Sequence, residues 1–201
     1  MDFYKQYNVI GLMSGTSLDG VDLAFVTFSY NKSWQYQLKE CQTIPYDKQW
    51  QIELKELHLK SITEIQESDK RYAVYLSQLL SNFILENNLK VDLICSHGHT
   101  ILHQPEKGIS LQIGDGKIIN TQLNIPIVCD FRALDVELGG QGAPLVPVGD
   151  ELLFSEYDYC LNLGGFSNFS FNDGRLRKAY DICPVNIVLN EYARKLNKEY
   201  D

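Results

Sequence analysis

The stretch Ser14-Gly15-Thr16-Ser17-Leu18-Asp19-Gly20-Val21-Asp22 packs two glycines, three hydroxyls and two carboxylates into nine residues. Glycines there allow positive φ and close approach, so successive backbone N–H groups can face one concave pocket while the hydroxyls add donors. That chemistry suits a phosphate, held by Gly15, Thr16, Ser17, Leu18, Asp19, Gly20, Val21 and Asp22. Asp19 and Asp22 suit Mg2+, which takes few protein oxygens and keeps much of its water. A plain polar hairpin tip is the alternative. A second glycine turn, Asn162-Leu163-Gly164-Gly165-Phe166-Ser167-Asn168, would let Gly164 and Gly165 grip a polyphosphate from the other side. Neither loop is a Walker motif or a Rossmann fingerprint, because no Gly-Lys-Ser/Thr or Gly-x-Gly-x-x-Gly spacing is present.

Other residues able to do chemistry lie between these turns. His97, His99 and His103 fall within seven residues, but no Cys or Glu spacing completes a zinc site. Arg132 follows an apolar strand and can hold a carboxylate bidentately; a surface ion pair with Asp135 or Glu137 is the alternative. Gln112 and Asp115 flank a Gly114-Asp115-Gly116 turn. Gly139-Gly140-Gln141-Gly142-Ala143-Pro144 is too glycine-rich for a regular element and reads as a substrate loop, an interdomain hinge or a mere connector.

The elements that must position these residues follow from hydrophobic periodicity. Residues 8–14 and Val21 to Tyr30 make a hairpin around the polar tip, and a third strand runs from Trp34 to Ile44. Trp50, Leu54 and Leu57 mark a helix, and Tyr72, Tyr75, Leu76, Leu79, Leu80, Phe83 and Ile84 mark a stronger one from about Asp69 to Glu86. Strands return at Val91 to Cys95, around Ser110 to Ile113, and at Ile125 to Asp130. Near residue 156 the order begins again: strands at Tyr157 to Leu163, Phe166 to Phe171 and into Asp181, then a helix from Asn186. The class is α/β with a mixed sheet. The expected domains are residues 1–155 and an incomplete second domain, 156–201, because three strands and one helix cannot bury a two-sided sheet. The chain is thus expected to be a truncated form.

Composition narrows the function. A formal charge of -8 over 201 residues supplies no basic field for nucleic acid. The five scattered cysteines, 41, 95, 129, 160 and 183, read as buried thiols in a reducing cytoplasm. No apolar run reaches spanning length, and the first residues lack a signal-peptide pattern. The expectation is a cytoplasmic protein with no membrane and no nucleic-acid partner, a homodimer being allowed.

Five strings occur in order: Gly-Leu-Met-Ser-Gly-Thr-Ser-Leu-Asp-Gly-Val-Asp (11–22), Ser-His-Gly-His-Thr (96–100), Leu-Gln-Ile-Gly-Asp (111–115), Asp-Phe-Arg (130–132) and Gly-Gly-Gln-Gly-Ala-Pro-Leu-Val-Pro (139–147). Together they resemble the anhydro-N-acetylmuramic acid kinase family over essentially the whole chain. The resemblance implies an actin-like, ribonuclease H-like fold whose two hairpin turns clamp the phosphates of ATP with Mg2+. It further implies ATP-dependent, ring-opening conversion of 1,6-anhydro-N-acetylmuramic acid to N-acetylmuramic acid 6-phosphate, in cell-wall sugar recycling. By motif position Asp181 is the base that activates water, although the residues alone favour a helix N-terminal carboxylate that stabilises the dipole. The sugar contacts implied are His97, His99, Thr100, Gln112, Asp115, Arg132 and Gln141. One departure stands out. The family's Asp-Thr-Gly-Pro-Gly-Asn is here Asp181-Ile182-Cys183-Pro184-Val185-Asn186, which removes two glycines from a loop whose amides would meet oxygens.

Two rival readings remain. A non-catalytic sugar-binding or regulatory actin-like module would keep the fold without turnover. A glycoside hydrolase would use paired carboxylates, Asp115 and Asp135. The isolated 201-residue chain is expected to show little or no kinase activity.

Overall fold

A computed structural model describes residues 5–15, 18–142 and 145–198. They divide into two compact units, Met1–Gly142 and Ala143–Asp201.

The first unit is built on a six-stranded mixed sheet. β1 (Lys5–Ser14), β2 (Gly20–Asn31) and β3 (Ser33–Pro45) form an antiparallel meander, and β4 (Leu93–Gln104) runs parallel to β1 on its other side. Beyond β4 lie β5 (Ile109–Ile113), antiparallel, and the two-residue β6 (Ile127–Val128), parallel. Alternation decides which face is covered: Ile10, Leu12 and Ser14 of β1 and Val21, Leu23 and Phe25 of β2 are buried, while Met13 and Asp22 are exposed. β3 is an edge strand whose side chains are nearly all exposed, and its polar composition suits that place.

Helices α1 (Lys48–Glu56) and α2 (Ile62–Glu86) carry apolar stripes into the same core. Asp47 caps α1, its Oδ1 accepting from the Trp50 amide at 2.8 Å. Tyr72, Ala73, Leu76, Leu80 and Phe83 of α2 are buried at the helical spacing read from the sequence. The helix starts seven residues before the expected Asp69. Ser61 and Glu64 form a reciprocal capping box there, a Ser-x-x-Glu signal that marks the first turn although its side chains are mostly polar.

Three short helices were not expected: α3 (Gly116–Leu123), α4 (Phe131–Glu137) and α5 (Leu145–Leu153). The turn read at Gly114-Asp115-Gly116 is the N-cap of α3, with Asp115 Oδ1 accepting from the amides of Lys117 at 2.7 Å and Ile118 at 3.3 Å.

The second unit repeats the meander with β7 (Tyr159–Leu163), β8 (Phe166–Asn172) and β9 (Arg177–Pro184), followed by α6 (Asn186–Lys195). Arg177 joins the sheet to α5 and its neighbours, donating to Glu151 at 3.1 Å and to Ser170 Oγ at 2.9 Å. α5 therefore belongs with this unit, so the compact division falls before residue 145 and not at the expected 155. Tyr159, Leu161, Phe169, Phe171 and Tyr180 form an aromatic-rich face of the three-stranded sheet on which Tyr159 is 70% and Leu161 61% exposed.

Candidate functional site

Ser14 ends β1 where the glycine-rich turn begins, and it is buried. Its Oγ lies 2.6 Å from the Tyr46 hydroxyl, 2.8 Å from that of Tyr72 and 3.0 Å from His99 Nδ1, while the two tyrosine hydroxyls are 2.5 Å apart. Three hydroxyls bring three protons to the three contacts among them, so each donates once around a closed ring. The contact with His99 must then take its proton from the imidazole, which makes His99 the Nδ1–H tautomer donating to Ser14. Burial, and after it His97, lowers the His99 pKa to about 4, so the ring is uncharged at neutral pH.

Tyr46 fastens the turn at its far end too. Its backbone N–H donates to the Asp19 carbonyl at 3.2 Å. Gly20 is needed here for close approach, not for positive φ: a Cβ on it would clash with the Ile44 carbonyl oxygen. Among the described residues of the turn, Leu18 is left-handed, at φ 60°. Asp19 Oδ1 accepts from the Gly20 amide at 3.0 Å, and Asp22 Oδ1 from Thr43 Oγ1 at 2.6 Å. Val21 is fully buried in the core. Thr16 and Ser17 lie outside the described residues.

The expected strand end at Cys95 lies near the start of β4, which continues through Ser-His-Gly-His-Thr. Pairing with β1 shifts there, from Leu12 opposite Ser96 to Ser14 opposite His99, so β4 carries one extra residue. Gly98, at φ +68°, makes this bulge, and a Cβ on it would sit 2.7 Å from the Ile113 carbonyl oxygen. Regular alternation would send His97 and His99 to the same side. The bulge separates them: His99 enters the buried ring, whereas His97 lines an open cleft of about 730 Å³.

That cleft lies within the first unit and is lined by Asp69, Ser96, His97, Gln112, Asp115 and Asp130 among others. His97 Nδ1 faces the Gly98 carbonyl at 2.9 Å, and Arg132 Nε donates to His97 Nε2 at 3.0 Å. The carbonyl can only accept, so Nδ1 carries the proton. Burial, then the neighbouring Arg132 charge, lowers the His97 pKa. Arg132 opens α4 and, among the described residues, forms no ion pair; the expected partner Asp135 instead accepts from the Gly142 amide at 2.7 Å. Gly142 thereby brings the exposed Gln141 beside α4. Gln112 pairs with Thr100 across β4 and β5, its Nε2 donating at 3.4 Å to Thr100 Oγ1 and at 3.0 Å to Ser110 Oγ.

The carboxylates proposed for hydrolysis are both engaged in capping and loop support, Asp115 on α3 and Asp135 on Gly142. Asp69, absent from the expected site, has its Oδ1 bound by the amides of Gly114 at 2.7 Å and Asp115 at 2.9 Å. Its pKa is raised by burial and by Asp115 and Asp130, against the pull of those amides. No sequence signal marks it, because α2 and the β5–α3 turn meet only in the fold.

In the second unit Asp181 lies on β9 opposite Asn168, exposed, and not at a helix N-terminus, since α6 begins at Asn186. The Gly164-Gly165 turn gives its carbonyls to the helix: Val185 N–H donates to Gly165 at 2.8 Å and Asn186 N–H to Gly164 at 3.1 Å. Among the described residues no group of three His, Cys, Asp or Glu side chains is placed to hold a metal ion. No described helix is long and apolar enough to cross a membrane.

A meander whose first strand ends in a glycine-rich turn and pairs in parallel with the strand beyond, covered by helices, is the α/β architecture of the actin-like sugar kinases. The family model for anhydro-N-acetylmuramic acid kinase matches residues 7–201. Proteins bearing that name are 34% identical in Rhodopseudomonas palustris and 36% in Shewanella woodyi, each over 96% of this chain, and 33% in Pseudomonas syringae over all of it. The chain belongs to the anhydro-N-acetylmuramic acid kinase family. It spans 57%, 55% and 56% of the length of those three relatives.

Proposed function

We propose that this chain supplies the sugar-binding lobe and the opening of the nucleotide lobe in an ATP-dependent kinase acting on 1,6-anhydro-N-acetylmuramic acid, with ring opening, to give N-acetylmuramic acid 6-phosphate. The observation that carries the reading is the half-buried Arg132, which spends its Nε on a neutral His97 and has no carboxylate in ion-pair range among the described residues. Its Nη fork suits the lactyl carboxylate of a muramic acid. His97, Gln112 and Asp115 line the adjacent cleft, with Thr100 hydrogen-bonded to Gln112 and Gln141 brought beside α4. His99 acts from beneath, holding Ser14 and the turn.

The turn from Gly15 to Asp22 would receive phosphate, and Asp19 and Asp22 would hold Mg2+, which takes few protein oxygens. ATP supplies the γ-phosphoryl group. Asp181, exposed on β9, would take the proton of the attacking water.

Isothermal titration with N-acetylmuramic acid and N-acetylglucosamine tests the substrate class. The chain should prefer the carboxylated sugar, and Arg132→Ala should erase the preference. Equal affinity for both sugars in the wild type would overturn the assignment.

The non-catalytic reading has one observation in its favour. The amides of Val185, Asn186 and Ile187 turn inward onto Gly164 and Gly165, in the loop where family glycines are replaced. Under that reading Asp181→Asn leaves all sugar-dependent cellular function intact; under the kinase reading it abolishes phosphorylation of the sugar in the cell.

A further inference from the structure

Ser96 is fully buried, lines the cleft, and its Oγ has no hydrogen-bond partner among the described residues. A buried hydroxyl left unpaired costs stability, and alanine in the same space would avoid that cost. Asp69 lines the same cleft. Two backbone amides saturate its Oδ1 and fix the carboxylate, while Oδ2 accepts no hydrogen bond from any described residue.

The other neutral polar groups nearby are occupied. Asn120 Nδ2 donates to the Ile125 carbonyl at 2.8 Å, Thr121 Oγ1 to the Lys117 carbonyl at 2.8 Å, and Gln112 to Ser110. Ser96 thus offers a ligand a hydroxyl that can donate, and Asp69 a carboxylate oxygen that can only accept. The hydroxyls of a sugar ring satisfy both, accepting from Ser96 and donating to Asp69. The cleft carries both signs of charge. Asp69, Asp115 and Asp130 outnumber the single cation in its lining, Lys117, whereas its His97 end adjoins Arg132.

We infer that Ser96 and Asp69 form a subsite that reads the ring hydroxyls of a pyranose, while the ligand's acidic group is taken at the His97–Arg132 end. This rests on the sugar reading above and adds two residues to it. It also assigns two recognitions to different residues, ring hydroxyls to Ser96 and Asp69 and the acid to Arg132.

The experiment is titration of the 201-residue chain and its variants with N-acetylmuramic acid and with N-acetylglucosamine, which shares the ring but lacks the acid, together with thermal unfolding without sugar. Ser96→Ala should raise the sugar-free Tm and weaken both sugars about tenfold, the effect of losing one hydrogen bond. Asp69→Asn, which keeps an acceptor for the Gly114 and Asp115 amides, should also weaken both. Arg132→Ala should weaken only the acidic sugar. If Ser96→Ala gains stability with both affinities unchanged while Arg132→Ala still discriminates, a bound water completes Ser96 and the inference fails, though the sugar reading survives. If the wild type binds neither sugar, both fail.

Discussion

Arg132 donates from Nε to His97 Nε2 across 3.0 Å, and the Nδ1–H of the same imidazole is committed to the Gly98 carbonyl. A positively charged side chain thus rests on a ring whose two nitrogens are both assigned. Protonating His97 would set two cationic groups against each other, so the ring must stay neutral for the guanidinium to keep its place.

Arg132→Lys keeps the charge but loses the planar fork and the Nε contact. Affinity for a carboxylated sugar should fall about tenfold, the equivalent of one charge-assisted hydrogen bond of roughly 1.5 kcal/mol. Titration calorimetry reads this directly. An unchanged affinity would show that charge alone suffices.

Tyr46→Phe removes one hydroxyl from the ring beneath the turn and leaves Ser14 and Tyr72 to repair it. The expected loss is about 1–3 kcal/mol in urea unfolding. A second readout is the 15N spectrum of His99, which should show the Nδ1–H form in the wild type and a tautomer mixture in the variant.

Acid should destabilise the first unit early. The folded pKa of His99 is about 4 and that of His97 is also below the unfolded value of about 6.5. Between those values the unfolded chain binds more protons, so stability is complete above about pH 6.5 and falls as pH drops toward 4. For His99 the loss is on the order of 3 kcal/mol. His99→Gln should flatten the slope of unfolding free energy against pH in that window. A slope identical to wild type would remove His99 as its source.

Gly98→Ala places a Cβ 2.7 Å from the Ile113 carbonyl oxygen on a residue at φ +68°. Left-handed strain and the clash together should cost at least about 2 kcal/mol. Thermal unfolding measures the loss, and amide exchange at His99 and Ile113 should quicken as the pairing of β4 with β5 loosens.

The meander, the stronger apolar stripe of α2 and the return of the pattern after residue 156 were legible because each rests on local periodicity. β4 was read as ending at Cys95 because Ser-His-Gly-His-Thr is polar and glycine-broken, although the bulge keeps it in the sheet. α3 was read as a turn because Gly114-Asp115-Gly116 carries turn composition, and eight residues are too few to show a stripe. At the site, the motif residues were legible as strings. Tyr46, Asp69 and Tyr72 were not, because each reaches Ser14, Gly114 or His99 through contacts many residues apart in sequence.

The aromatic face of the three-stranded sheet has a consequence for handling this polypeptide. Stacked rings left in contact with water bind hydrophobic dyes and adhere to one another. Light scattering by solutions of this chain should therefore rise steeply with concentration, and mild detergent should reverse it while the buried serine–tyrosine–histidine ring is left untouched.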